Sequence, residues 1–431
     1  MKKNLFFWIM ALMICAAVGC ADNTIYEPEK PMLKKMSHEV TQAEARKNLE
    51  KFIANIKTPA TRGGEQRSLP PITSVYTTGK PAEATRSGEA VEPHFHIFNF
   101  GNNEGYAIMS GDDRVEPLLA LTFKGELTPE TEIDNPGFEI AYSRMEDYYV
   151  AKTMGGPSID IDIPIPPKDS IQRPGLELPA RFEIDTVEVY RSMQYGYCPV
   201  DWDQINFNRY CYVPNTVITA PTGCVATAMA QLMAIYRFPN SYNGYTFNWN
   251  YMIQSDQYTE GKNQVCRLMQ QLGLSNNLNT QYSNGSNGSW ASPNNIAQTF
   301  VNFGYANGGT TITYSTPQVV QELRNGYPIL ISGKEDPSDN MGHIWLGHGL
   351  MELRVDVKEY NEFDEIMASY SNIVNYYILC NFGFDAGNAN GYYLSGVFCA
   401  NEGPAYPSPT RGVIADFYQY DLEAIVNIRK N

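Results

Sequence analysis

The sequence predicts an α+β chain in two folded parts, and three observations carry that expectation. A capped amphipathic helix, alternating strands and a second helix fill residues up to 154. A proline-rich stretch from Gly155 to Pro179 has few large side chains and reads as an extended, exposed linker over 155–181. From 182 to 431 a cysteine-led apolar helix is followed by glycine-flanked apolar strands.

The elements follow in order. Lys2 and Lys3 precede an apolar run, Leu5 to Val18, too short to span a bilayer comfortably. It ends in Ala17-Val18-Gly19-Cys20, which resembles a bacterial lipobox, so 1–20 reads as a lipoprotein signal with Cys20 the lipidated first residue. A polar tether, Ala21 to Ser37, leads to a helix. Thr41-Gln42-Ala43-Glu44 forms a capping box, and Ala45, Leu49, Phe52, Ile53 and Ile56 form its apolar stripe. Thr58 to Glu89 is rich in Thr, Gly, Pro and Arg and reads as a mobile loop, with Arg62 and Arg67 as sites for nicking. His94 to Phe100 alternates as a strand, Gly105 to Ser110 is a second, and Val115 to Phe123 a third. Asn135 to Met154 closes this part as a helix. His94 and His96 share a strand face, but with no third ligand nearby they read as a solvated face and not a metal site.

Composition narrows the function. A formal charge of −15 repels phosphate backbones, so nucleic acid is not an expected partner. Beyond the signal lie Cys198, Cys211, Cys224, Cys266, Cys380 and Cys399. No CxxC pair occurs and only His343 and His348 lie past the first hundred residues, so no metal or other cofactor is expected.

The chemistry centres on Thr222-Gly223-Cys224-Val225-Ala226-Thr227-Ala228-Met229-Ala230-Gln231. Val225, Met229, Leu232 and Tyr236 recur at helical spacing, with Thr222 as the expected cap, so Cys224 meets the positive end of a helix dipole. That favours thiolate. A cysteine at a helix start is more often a small apolar filler, so its partners decide. The base is His343 or His348, in Gly342-His343-Ile344-Trp345-Leu346-Gly347-His348. Strand alternation puts these two on opposite faces, so both cannot meet Cys224. Gln204, after Trp202-Asp203, can donate to an oxyanion beside the Cys224 N–H. Asn381, before Phe382-Gly383-Phe384, can hold an imidazole. The order Gln, Cys, His, Asn follows the logic of papain-like thiol proteases.

These residues carry a resemblance. Residues 222–231 match the nucleophile motif of the streptopain-family (papain-like) cysteine peptidases, of the Bacteroidetes lipoprotein type with an N-terminal pro-domain. Trp202-Asp203-Gln204 with Cys211, the glycine-rich Tyr282 to Trp290, Pro328 to Gly333 and Gly342 to Trp345 resemble further family segments. Gly105 to Arg114 resembles an element of the pro-domain. The resemblance implies an α+β pro-domain over 21–154, helices packed on an antiparallel sheet. It implies a papain-like peptidase of helical and β-sheet subdomains over 182–431. It selects His343 as base, with Cys224 as nucleophile, Gln204 as oxyanion donor and Asn381 orienting the imidazole. Gly223, Trp345 and Phe382 are then expected at the substrate. It also implies an apolar preference two residues before the cut, protein or peptide substrates, and the pro-domain as an internal inhibitor. The expected setting is the cell envelope, on the periplasmic or surface face of the outer membrane, with release after maturation.

Two departures stand out. The family's Asn-Trp-Gly-Trp is Asn381-Phe382-Gly383-Phe384 here, and His348 replaces an acidic residue. They leave open a catalytically weak or inactive surface-binding or inhibitor protein on this scaffold, or a Cys-His amidase or acyltransferase. The polar, Tyr-rich stretch from Met351 to Asn375 reads as a hairpin beside the cleft that restricts entry.

Overall fold

The structure, a computed structural model, describes residues 38–55, 71–79, 94–153, 181–191, 197–286, 288–334, 342–360, 366–384, 387–399, 406–408, 412–414 and 422–431. The expected signal, Cys20 read as a lipidation site, the tether, Arg62, Arg67 and the linker up to residue 180 lie outside them.

The first part comprises α1 (Gln42–Asn55), β1 (Ile72–Thr77), β2 (Phe95–Phe100), β3 (Tyr106–Ser110), β4 (Leu118–Thr122) and α2 (Pro136–Thr153). The second opens with β5 (Arg181–Arg191) and α3 (Cys224–Tyr236). A short pair follows, β6 (Ser241–Tyr242) and β7 (Tyr245–Thr246), then α4 (Trp249–Met252), α5 (Thr259–Leu272) and α6 (Ile296–Asn302). Next come β8 (Asn307–Thr313), α7 (Thr316–Arg324), β9 (Ile329–Gly333), β10 (His343–Tyr360) and β11 (Ile366–Asn381). The chain closes with β12 (Gly391–Leu394), β13 (Tyr406–Ser408), β14 (Gly412–Ile414) and β15 (Glu423–Arg429).

The capping box forms as the sequence predicts. The Thr41 hydroxyl accepts from Glu44 N at 3.3 Å, and Glu44 Oε2 accepts from Thr41 N at 2.8 Å. Ala45, Leu49 and Phe52 are buried beneath it. At α2 the Asn135 side chain accepts from Gly137 N at 3.1 Å and Phe138 N at 3.2 Å.

One antiparallel sheet runs through both parts, in the order β1-β2-β3-β4-β12-β11-β10-β9-β15-β8, with β5 paired to β10. The two parts join where Ala120, Leu121 and Thr122 of β4 pair with Tyr393, Tyr392 and Gly391 of β12. Strand alternation divides the core. Ile331, Trp345 and Ala424 face one cluster, which α1, α2 and β2 to β4 share. Leu330, Ile344 and Ile425 face the other, built on α3, α5 and α6. Both faces of β9, β15 and the 343–353 part of β10 are therefore buried, which explains the unbroken apolar run at Ile329-Leu330-Ile331.

Three expectations change. The supposed mobile loop at 58–89 contains β1, whose Val75, Tyr76 and Thr77 pair with Phe98, Ile97 and His96. Its β-branched and aromatic residues suit an edge strand. His94 and His96 are buried, not solvated: His96 Nε2 bonds Val40 O at 2.7 Å, its Nδ1 bonds Thr77 Oγ1 at 2.8 Å, and His94 Nδ1 bonds Thr78 O at 3.1 Å. The β10–β11 hairpin exists, but its last described pair, Tyr360 with Ile366, is at the opposite end of β10 from His343. Eighteen residues at about 3.3 Å each carry that pair away from the cleft.

Candidate active site

Gly223, not Thr222, precedes α3 as its cap, at φ +87°, a left-handed backbone that favours glycine. Thr222 is used otherwise. Its N–H donates to Gln204 O at 2.9 Å and its hydroxyl bonds the Thr227 hydroxyl at 2.8 Å. Thr227 in turn donates to Gly223 O at 3.0 Å. The nucleophile turn is thus tied to both the Gln204 segment and its own helix.

Cys224 is half-buried at α3's first residue, and its thiol is hydrogen-bonded to the buried His343. Burial pushes the thiol up. The charge of His343, that hydrogen bond, and the N–H groups of Ile344 and Val225 outweigh it and leave Cys224 below the ordinary thiol range. Burial likewise pushes His343 down, but the Cys224 thiolate, their hydrogen bond and the Phe382 carbonyl raise it overall. Each group favours the charged form of the other. The buried thiols of Cys198, Cys211 and Cys380 are pushed up by burial instead.

His343 Nε2 donates to Phe382 O at 2.9 Å, leaving Nδ1 for the sulfur. Asn381 therefore stands next to the orienting group without supplying it. Its Oδ1 accepts from Gln231 Nε2 at 2.9 Å and Gly383 N at 3.0 Å, and its Nδ2 donates to Val200 O at 3.1 Å. A main-chain carbonyl has no residue signature, so the sequence could not single out Phe382 for this role.

Cys224, His343 and Gln204 line one cavity of about 820 Å³. Its walls include the glycine-rich Gly285, Ser286, Gly288, Ser289 and Trp290, with Phe384 and Ile205 at other points. Gly223 lies against the Ser289 carbonyl. Trp345 and Phe382 are not on the wall. Both are fully buried in the core, Trp345 stacked behind His343 with ring centroids 6.4 Å apart and Phe382 packed 5.6 Å from Trp345. They shield the imidazole and its carbonyl from water; Trp345 shares the His343 face of β10 but lies two residues further into the core.

His348 has a clear structural place. It is buried and accepts from Cys198 N at 3.0 Å through Nδ1. Burial holds its pKa down to about 3, so it is a neutral acceptor and no second base.

The remaining wall comes from the first part: Asp134, Pro136, Glu139 and Ile140, at and before the start of α2. A Cβ placed on Gly137 would stand 2.8 Å from His343 Cδ2. The first turn of α2 therefore rests on the imidazole, a contact through Gly137 for which the sequence offered no signal.

A thiol and an imidazole that each favour the charged form of the other at a helix start, on one cavity with a glutamine, are the constellation of a cysteine-type hydrolase. Residues 202–393 match the Peptidase C10 family and residues 37–149 the Spi protease inhibitor family. The chain carries a Peptidase C10 domain, of the streptopain family of cysteine-type peptidases, behind a Spi-like pro-domain. It is similar to the thiol protease/hemagglutinin PrtT of Porphyromonas gingivalis, 25% identical over 244 residues, which cover 56% of this chain and 23% of that protein. Among solved structures it is similar to a fragment of prointerpain A from Prevotella intermedia. That match has 17% identity and a TM-score of 0.47, and covers 82% of this chain and 98% of the other. Active interpain A from the same organism matches at 20% identity and a TM-score of 0.37, covering 56% and 94%.

Proposed function

We propose that this chain is a secreted cysteine endopeptidase made as a zymogen. The observation that carries the reading is that Cys224, His343 and Gln204 line one cavity whose remaining wall includes the start of the pro-domain helix α2. In the proposed reaction the Cys224 thiolate attacks a peptide carbonyl and forms the C–S bond. The resulting oxyanion is met by the Gln204 amide and the Cys224 N–H. The His343 imidazolium gives its proton to the leaving amine as the C–N bond breaks, leaving a thioester. His343 then takes a proton from water, which attacks the thioester and releases the acid and Cys224. The neighbouring Phe382 carbonyl keeps Nδ1 aimed at the sulfur through both steps.

Latency follows from the same geometry. With Gly137 against the imidazole and Pro136, Glu139 and Ile140 forming part of the wall, the pro-domain narrows the cavity that a substrate must share with Cys224. Cleavage in the 155–181 linker, followed by departure of the pro-domain, would open the cleft. Lipid attachment at Cys20 would hold the zymogen at the envelope until then. The test is peptide cleavage by the matured wild-type chain against Cys224→Ala, with products weighed by mass spectrometry in water and in added amine. Hydrolysis that depends on Cys224 supports the peptidase; aminolysis products in its place point to an acyltransferase.

A further inference from the structure

α3 is buried along its length, and between Cys224 and its C-terminus its side chains are apolar except at Thr227 and Gln231. Those two are four residues apart and share one face. Thr227 ties the nucleophile turn, as described above. Gln231 is fully buried and reaches two other parts of the site: its Nε2 donates to Trp202 O at 2.7 Å and to Asn381 Oδ1 at 2.9 Å. The amide orientation is fixed by these partners. Turned over, it would set Oε1 against two oxygens that can only accept. Trp202 stands two residues before Gln204, and Asn381 directly precedes the carbonyl that holds His343.

We propose that Gln231 is a positioning residue. From the nucleophile's own helix it sets the oxyanion donor and the imidazole's carbonyl acceptor with one side chain, so that both keep register with the sulfur. The inference rests on the peptidase reading for its catalytic meaning, but its geometric content does not.

The test compares Gln231→Met, close in volume but without donors, with Leu232→Ala, a core truncation on the same helix. Three quantities are read: Tm, the pH profile of Cys224 alkylation by iodoacetamide, and kcat against KM on a peptide. Both variants are expected to lower Tm. Only Gln231→Met is expected to move the acid midpoint of alkylation toward that of an ordinary thiol, and to lower kcat by about 10- to 100-fold with little change in KM. Gln231→Glu, which when protonated keeps one donor for two acceptors, is expected to fall between, and it decides the matter if Gln231→Met does not fold. An alkylation profile in Gln231→Met no more altered than in Leu232→Ala overturns the proposal. So does failure of both Gln231 variants to fold while Leu232→Ala folds, since Gln231 would then belong to the folding core alone. A wild-type chain that is alkylated with a lowered midpoint yet cleaves no peptide defeats the peptidase reading and leaves the alkylation comparison valid.

Discussion

Gly137 of the pro-domain stands so close to His343 that a Cβ there would lie 2.8 Å from the imidazole Cδ2 and would also strike the Phe382 ring. Both neighbours are buried and neither is the free end of a flexible chain, so a larger residue must lift the helix. Overpacking of this kind costs about 1–3 kcal/mol, and 1.4 kcal/mol is roughly tenfold in an equilibrium. Gly137→Ala is therefore expected to raise inhibitor labelling of the uncleaved full-length chain about tenfold. An unchanged labelling rate, measured on chain that mass spectrometry shows to be intact, would mean that this contact does not hold the pro-domain down.

The pro-domain is held by a second device, the β4–β12 ladder that makes one sheet of two parts. When the pro-domain departs, β12 becomes an edge with unpaired backbone groups. Hydrogen exchange followed by mass spectrometry should show the β4-facing amides among residues 391–393 protected in the zymogen and faster after maturation, while those bonded to β11 stay slow. The β9–β10 pairing should remain slow. Continued protection of the β4-facing amides in matured protein freed of its pro-domain would argue against this docking.

Much of the site is legible in the sequence because it is carried by side chains in local patterns. Cys224 follows a glycine and leads an apolar helix, and only two histidines were available to serve it. The rest depends on backbone or on distant pairing. The Phe382 carbonyl that holds His343 has no side-chain signature, so Asn381, its neighbour, attracted the role. Gly137 matters because α2 packs against the second part, a contact between segments far apart in the chain. His348 looked like an anomaly until the structure showed the Cys198 N–H that it accepts. In the fold, α1, α2, α3 and β2 to β4 are legible by periodicity, whereas α4 to α7, β8 and β15 are not read from the sequence. β1 was obscured by the Gly, Pro and Arg residues around it.

His348 gives a pH dependence whose sign is fixed. Its folded pKa is depressed from 6.5 to about 3, so below pH 6.5 the unfolded chain binds a proton that the folded chain refuses. Its contribution is fully present above the unfolded value and is lost as pH falls toward the folded one. At roughly 1.4 kcal/mol per pH unit, lowering pH from about 7 to about 4.5 should cost about 2–3 kcal/mol. His348→Gln, which keeps an acceptor for Cys198 N, should escape this loss. Urea denaturation at the two pH values measures it, and equal losses in wild type and variant would contradict the assignment.

The Cys224–His343 pair sets a second pH dependence. Alkylation of Cys224 by iodoacetamide should persist below the ordinary thiol value of 9.0 and fall off as the thiolate is protonated. In His343→Ala the partner charge and hydrogen bond are gone and burial remains, so the midpoint should rise. A midpoint indifferent to His343 would mean that the two side chains are not coupled.

The most direct measurement is covalent labelling of the matured chain by an epoxide inhibitor of thiol proteases, with the adduct located by mass spectrometry. The expected result is one adduct, on Cys224, formed alongside peptide cleavage and lost in His343→Ala. A matured chain in which Cys224 stays unmodified and no peptide is cut would contradict the assignment of this cavity as a cysteine peptidase site.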